Sequence, residues 1–386
     1  MCCSAGPAPL RGGLLNADRV CAARGDSVLW GEAAPVDHRG RHPALHQARS
    51  VRAVSPLLSS VMLSEVNGPV FLVGCSRSGT TLLRLMLTCH PDICIPPEST
   101  FLVRLHGRWG ASGIAGPEAV RAICEDLVAC DKKIADWGLD VNALAEALAS
   151  QTPISYRQFV EAVYRQYCAL TDPRAARWGD KNPEYVRNID LVRSVFPEAR
   201  FIHILRDGRA VYNSFISANA KHGRVYPEHP ADAAAHWRMS VRAGTRHRGQ
   251  RYYHEVRYES LITDPETVLR GICRFLGIQE AIDAMMAYPA ENQARELVPA
   301  QRLAWHSATL RAPDSARGES WRRELGAWRA GVFELCAGAD LRALGYATRI
   351  PLSSLATVNR VASRLSRRFV QASGRSGGVP AGTIGP

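Results

Sequence analysis

The residues best suited to chemistry lie in one stretch: Gly74-Cys75-Ser76-Arg77-Ser78-Gly79-Thr80-Thr81. Two glycines, four hydroxyls and an arginine follow an apolar run at 69–73 and open an apolar segment at 80–89 that His90-Pro91 closes. A strand-to-helix turn of this kind aims several backbone N–H groups at one point and adds the positive end of a helix dipole. Glycine lets a ligand approach the backbone closely, and the Ser and Thr hydroxyls add donors. A phosphate-like anion is the natural guest. The spacing approaches the triphosphate-binding pattern G-x-x-x-x-G-K-[ST], but Thr80 replaces the lysine and the basic residue moves forward to Arg77. That departure counts against an ATPase or kinase. The bland alternative is a tight turn with no ligand.

The elements that must hold this turn recur along the chain. The run 177–180 leads into Asn182-Pro183-Glu184, an N-cap, a first-turn proline and a first-turn acid. The helix predicted behind them carries Val186, Ile189, Val192 and Phe196 on one face. A strand at 201–205 precedes a helix with Val211, Phe215 and Ile216, and a third strand spans 252–256. Asp264-Pro265-Glu266 opens a further helix that stops at Gly277. Strand, loop and helix in alternation predict an α/β fold, a parallel central sheet flanked by helices on both faces.

Of the 386 residues, 46% are hydrophobic and 22% charged, enough to bury a core and to exclude wholesale disorder. No stretch approaches the roughly 20 apolar residues that span a bilayer. Arg11, Asn16, Asp18 and Arg19 interrupt any secretory apolar run, so a cytoplasmic protein is expected. The 48 Lys+Arg against 36 Asp+Glu favour anionic partners. Eleven cysteines without a C-x-x-C pair predict reduced thiols and no zinc site, with residues such as Cys273 filling the core. Residues 1–64 read as a disordered leader, 65–350 as the folded domain, and 351–386 as a basic amphipathic helix followed by a disordered tail.

The turn, extended through Leu82-Leu83-Arg84 and His90-Pro91-Asp92, resembles the opening of sulfotransferases that use 3′-phosphoadenosine 5′-phosphosulfate (PAPS). Within that family the chain most resembles the tyrosylprotein sulfotransferase-like branch. Further blocks agree in order: Gly179-Asp180-Lys181-Asn182-Pro183; Leu205-Arg206-Asp207-Gly208-Arg209-Ala210 with Ser214; Val256-Arg257-Tyr258-Glu259-Ser260-Leu261; and Trp321-Arg322-Arg323-Glu324-Leu325. The resemblance covers roughly 68–346 and implies a P-loop-NTPase-like sulfotransferase fold.

The resemblance also implies roles. Arg77, Ser78, Gly79, Thr80 and Thr81 would hold the 5′-phosphosulfate, Arg206 and Ser214 the 3′-phosphate, and Tyr258 the cofactor. A strand end and the second turn of the next helix can indeed face one crevice. Arg77 and Lys181 would stabilise charge on the leaving phosphate, Ser307 would be a late transition-state serine, and Glu98 the general base. Glu98 stands 21 residues beyond Arg77 after Pro96-Pro97; the competing reading pairs it with Arg77 or Arg104. Ser320 occupies a position where the family often has a basic residue, and Arg317 or Arg311 takes that part here. PAPS is the expected co-substrate and no metal is expected. The acceptor, a hydroxyl or an amine, is not readable, and its specificity is expected in 101–175 and 219–232.

Two other functions remain in view: an ATP-dependent small-molecule kinase, and a basic protein that binds nucleic acid or a membrane surface. The latter rests on Arg238, Arg242, Arg246, Arg248 and Arg251 and on a basic apolar stretch at 353–370 that suits peripheral membrane contact. Charge runs are usually solvated helix faces, and no nucleic-acid partner is expected. Met62 lies just ahead of the first strand, and translation is expected to start there. Intact-mass analysis of natively expressed protein should then give a mass lacking residues 1–61; the full-chain mass would reject the internal start.

Overall fold

The computed structural model describes residues 68–111, 113–298 and 311–351. The predicted leader, Ser307 and the basic stretch 353–370 lie outside them. Five parallel strands form one sheet: β1 (Val70–Gly74), β2 (Ile93–Cys94), β3 (Arg177–Lys181), β4 (Arg200–Leu205) and β5 (Tyr253–Arg257), in the order β2-β3-β1-β4-β5.

Alternation along β1 explains why the sheet is covered on both sides. Phe71 and Val73 enter one core cluster, while Val70 and Leu72 enter another. A strand buried on both faces needs this continuous apolar run. On the first face, Phe71 stacks on Phe201 with ring centroids 5.3 Å apart and meets Trp178 edge-on at 6.0 Å. The covering helices are α2 (Phe101–Trp109), α3 (Gly116–Cys130), α4 (Val141–Ala149), α5 (Tyr156–Thr171) and α6 (Ile189–Val195). Ser155 and Gln158 form a capping box that starts α5, and Tyr164 of that helix stacks on Trp178 at 4.3 Å. The opposite face is covered by α1 (Thr80–Thr88) and by helices that follow β5.

After β4, Asp207 caps α7 (Gly208–His222), which packs with α8 (Pro230–Thr245) and the late helix Ala327–Ala343. After β5 come α9 (Tyr258–Thr263) and α10 (Pro265–Leu276). The Asp264 side chain accepts the Thr267 N–H, and Gly277 ends α10 in a left-handed conformation, as the sequence predicts.

Two expectations change, and one strand is additional to them. The helix expected directly after Asn182-Pro183 is a 3₁₀ turn, Pro183–Arg187; α6 begins only after Asn188, whose φ of −120° breaks the run. Strand β2 is only two residues long, too short for a periodic signal. Cys94 of β2 and Cys168 of α5 form a disulfide, Cα atoms 5.8 Å apart, where reduced thiols were expected. The two cysteines are 74 residues apart in sequence, so nothing local announces the pair. Cys75, Cys124 and Cys273 are buried free thiols.

The β4 end is held by a buried ion network. Arg209 donates to Asp207 (2.7 Å) and to Glu334 of the late helix (2.5 Å), and Glu334 also accepts the Arg349 N–H at 2.8 Å. Removing one member of a buried pair strands the other charge, typically at a cost of about 3–5 kcal/mol. Arg209→Ala, which leaves Asp207 and Glu334 without their shared cation, should lose about that much stability in urea denaturation, whereas a loss below about 1 kcal/mol would deny the network its structural role.

Candidate functional site

The carboxyl ends of β1, β3 and β4 lie side by side. Gly74 pairs with Ile204 and Leu72 with Lys181, so the turn after β1 sits between the residues that end its neighbours. Crevices at such strand ends are the usual ligand sites of parallel α/β sheets. Here a cleft of about 560 Å³ opens, within the range of about 300–1,000 Å³ usual for small-molecule sites.

The glycine turn forms one wall. Gly79 is left-handed at φ +101° and supplies no side-chain cap to α1, which leaves first-turn N–H groups available to a ligand. Arg77 also adopts positive φ, +68°, a conformation rare for a residue with a side chain. The Ser78 hydroxyl is buried without a partner. Thr80 and Thr81 line the cleft with Arg77 and Gly79.

Across the turn, Arg206 continues β4. Its guanidinium donates to the carbonyls of Arg77 (2.9 Å) and Arg317 (3.3 Å) and lies 4.1 Å from the Tyr258 ring centroid. None of these partners cancels its charge. Burial lowers its pKa, opposed by Tyr258 and Glu259, and its Nε has no hydrogen-bond partner. Its neighbour Asp207 is engaged by Arg209 instead. Arg77 Nε donates to Ser214 Oγ at 3.2 Å, which brings the turn and α7 together. Tyr258, at the start of α9, lies so close to Gly79 that an added Cβ would come within 2.4 Å of its ring.

Glu98 lines the same cleft, but not as an isolated carboxylate. Oε2 accepts from Lys181 and Oε1 from Lys133, each at 2.7 Å. Burial would raise this carboxyl, yet the two ammonium groups prevail and hold it well below the ordinary carboxylate range. Neither Arg77 nor Arg104 is its ion-pair partner: Arg104 donates to the Cys130 carbonyl. Lys181 is buried behind Glu98 and is not part of the cleft wall. Burial lowers its pKa, and the Glu98 carboxylate opposes that.

The structure therefore brings Arg77, Gly79, Thr80, Thr81, Glu98, Arg206, Ser214, Tyr258 and Arg317 to one cleft, with Ser78 in the turn and Lys181 one contact away. Arg311 is engaged through its carbonyl by Tyr288 at 2.6 Å. Ser320 lines the cleft, and the adjacent Trp321 is buried under the Arg209 guanidinium at 4.0 Å. Of the segments expected to set acceptor specificity, 219–232 contributes Lys221, His222 and Tyr226 to the walls, whereas 101–175 reaches the site through Lys133.

Sequence reasoning missed Lys133 and Tyr226. Tyr226 stacks on Phe215, ring centroids 4.7 Å apart, and its backbone is held by Asn219. Burial raises its phenol, Arg77 opposes the rise and Glu98 adds to it. No periodicity marks either residue. Among the described residues, no cluster of three or more His, Cys, Asp or Glu is placed to hold a metal, and no helix is long and apolar enough to cross a membrane.

Fold and cleft define a parallel α/β protein with an uncapped glycine turn and an arginine that meets no acid at adjacent strand ends. The chain belongs to the sulfotransferase family, whose profile matches residues 69–282. It is 29% identical over 298 residues to nodulation protein NoeE of Sinorhizobium fredii, a match covering 72% of this chain and 65% of the relative. It is 25% identical over 247 residues to protein-tyrosine sulfotransferase 1 of Danio rerio, covering 61% of each. The chain thus spans less than two thirds of either relative. Among solved structures, the sulfotransferase domain of the Synechococcus PCC 7002 olefin synthase aligns with a TM-score of 0.46 and 24% identity, over 77% of this chain and 94% of that one.

The turn's geometry yields a direct check. Gly79→Ala would place a methyl group against Tyr258 at positive φ, and should destabilise the protein by more than about 1 kcal/mol. Gly331→Ala, in a helix where an added Cβ meets nothing within 4 Å, should stabilise by up to about 1 kcal/mol. Equal denaturation midpoints for the two variants would contradict the packing of turn on ring.

Proposed function

We propose that this chain is a PAPS-dependent sulfotransferase that transfers a sulfuryl group to a hydroxyl (or amine) acceptor. The observation that carries this reading is the pairing of two cationic anchors in one cleft, the uncapped glycine turn and Arg206. The unpartnered Ser78 hydroxyl and Arg206 Nε are donors of the kind that phosphate oxygens satisfy.

In this reading the 77–81 turn holds the 5′-phosphosulfate, Arg206 and Ser214 hold the 3′-phosphate, and Tyr258 and Arg317 complete the nucleotide site. Ser307, outside the described residues, is the proposed late serine. When bound, PAPS supplies a sulfuryl group whose bond to the bridging phosphate oxygen breaks as the acceptor attacks. The Arg77 guanidinium and the turn amides offset the negative charge that develops there. Losing one preorganised donor of this kind typically costs about 2.7–4 kcal/mol of barrier stabilisation.

Glu98 takes the acceptor proton. Its ion pairs impose a condition: a carboxylate held low by two ammonium groups is a weak base. Withdrawal of Lys181 toward the leaving phosphate would free Oε2 and strengthen the base in the same movement. Proton acceptance and charge stabilisation are coupled in this scheme.

The basic run along α8 and the turn that follows it gives the nucleic-acid alternative little support. Arg238 and Arg242 pair with Asp340, Arg246 with Asp190, and Arg248 with Glu255. Membrane-surface contact through 353–370 and a cytoplasmic site of action stay part of the proposal; the redox state of Cys94 and Cys168 in natively purified protein tests the latter.

Thermal shift separates the functions. At about 100 times its Kd, adenosine 3′,5′-bisphosphate should add roughly 2.7 kcal/mol of stability, with ATP weaker and duplex DNA without effect. Arg206→Ala should abolish the preference for the bisphosphate; stabilisation by DNA alone would overturn the proposal. With labelled PAPS offered to phenol, carbohydrate, lipid and tyrosyl-peptide acceptors, Glu98→Gln should bind the bisphosphate normally and lose transfer by about 10²–10⁴-fold. Unchanged turnover would remove Glu98 from the mechanism.

A further inference from the structure

The loop that carries Glu98 is fastened mainly by one short element. Asp131 Oδ2 accepts from Thr100 N (2.7 Å), Thr100 Oγ1 (2.8 Å) and Ser99 Oγ (3.2 Å), while its Oδ1 caps the 3₁₀ helix Lys132–Trp137 by accepting the Lys133 N–H at 3.0 Å. Trp137 Nε1, at the other end of that helix, donates to the Pro97 carbonyl at 3.1 Å. From the segment after β3, Asn182 Nδ2 donates to the Ser99 carbonyl at 2.7 Å and Tyr185 Oη to the same carbonyl at 3.4 Å. The helix that fixes the loop on both sides of Glu98 also carries Lys133, whose ammonium meets Glu98 Oε1.

The two lysines on Glu98 are unequal. The Lys181 side chain is 5% exposed and that of Lys133 is 33% exposed. Lys181 belongs to the sheet and to the family block around Asp180; Lys133 belongs to the element that fastens the loop. We infer that Lys133 is a positioning residue for Glu98: it keeps one carboxylate oxygen in place so that the other faces the acceptor when Lys181 turns away. The inference rests on the reading of Glu98 as the general base.

The physical need is specific. A carboxylate paired through both oxygens is a poor proton acceptor, and one released from both pairs is free to rotate. Retaining the Oε1 pair while Oε2 is freed satisfies both demands. It also leaves Glu98 ionised when Lys181 is otherwise engaged. The charged and titratable groups around Glu98 are Lys181 and Asp180 on β3, Lys133 on the 3₁₀ helix, Arg84 on α1, and Tyr226 after α7. Among them only Lys133 and Lys181 donate hydrogen bonds to the carboxylate in the described residues.

The test is a carbon-13 NMR titration of the Glu98 carboxyl in the full chain, assigned with Glu98→Gln, with and without adenosine 3′,5′-bisphosphate. Wild-type Glu98 should stay ionised to the lowest pH at which the protein is folded. Removing a cation lets the folded-state value rise, so in Lys133→Met and Lys133→Gln the Glu98 carboxyl should titrate within the pH range over which the protein is folded. Lys133→Arg should restore it, Lys132→Met should leave it unmoved, and bisphosphate affinity should not change in any of them. A Lys133→Met titration identical to wild type overturns the role of Lys133 and leaves Glu98 as base untouched. A Glu98→Gln enzyme with full transfer activity instead removes the reading on which the inference stands.

Discussion

Everything at the site depends on β1 and β4 lying parallel and adjacent. Their register places Gly74 beside Ile204, so the glycine turn and Arg206 emerge at one edge of the sheet although about 130 residues separate them. Arg206 then reaches back to the Arg77 carbonyl and braces the turn from outside. The alternating Phe71, Val73 and Val70, Leu72 faces fix that register, because a slip by one residue would turn each side chain into the wrong layer. Packing in the core thus sets the distance between two cationic anchors.

In the cleft Arg206 meets no acid, while the Glu98 carboxylate is over-neutralised. Arg206 donates to carbonyls and stacks on Tyr258 instead of meeting an acid. Glu98 meets two lysines. An incoming polyanion would satisfy the first group and compete for the second. In the proposed scheme, ligand binding and activation of the base draw on the same lysine, which gives a physical reason for reaction to await a loaded site.

Much of this was legible in the sequence. The donors of Gly74 to Thr81, the Asn182-Pro183 and Asp264-Pro265 starts, and the apolar strands are local signals, and each appears in the structure at nearly its expected place. The blocks containing Arg206, Ser214 and Tyr258 converge on one cleft because strand ends in a parallel sheet must converge. What stayed hidden depends on distant packing. Lys133 reaches Glu98 through a fold-back of 35 residues, and the Cys94–Cys168 disulfide joins an edge strand to a helix 74 residues away. The arginine run along α8 and just beyond it reads as a basic patch until its partners Asp340, Asp190 and Glu255 arrive from other elements. Ser307 lies outside the described residues.

The measurement that bears most directly on the central claim is a crystal structure of the full chain grown with adenosine 3′,5′-bisphosphate. The account predicts the 5′-phosphate within hydrogen-bond reach of the 77–81 amides and the 3′-phosphate on Arg206 and Ser214 of the same molecule. A nucleotide bound with its phosphates away from either the 77–81 turn or Arg206, or held only by the arginines between 238 and 251, would contradict it.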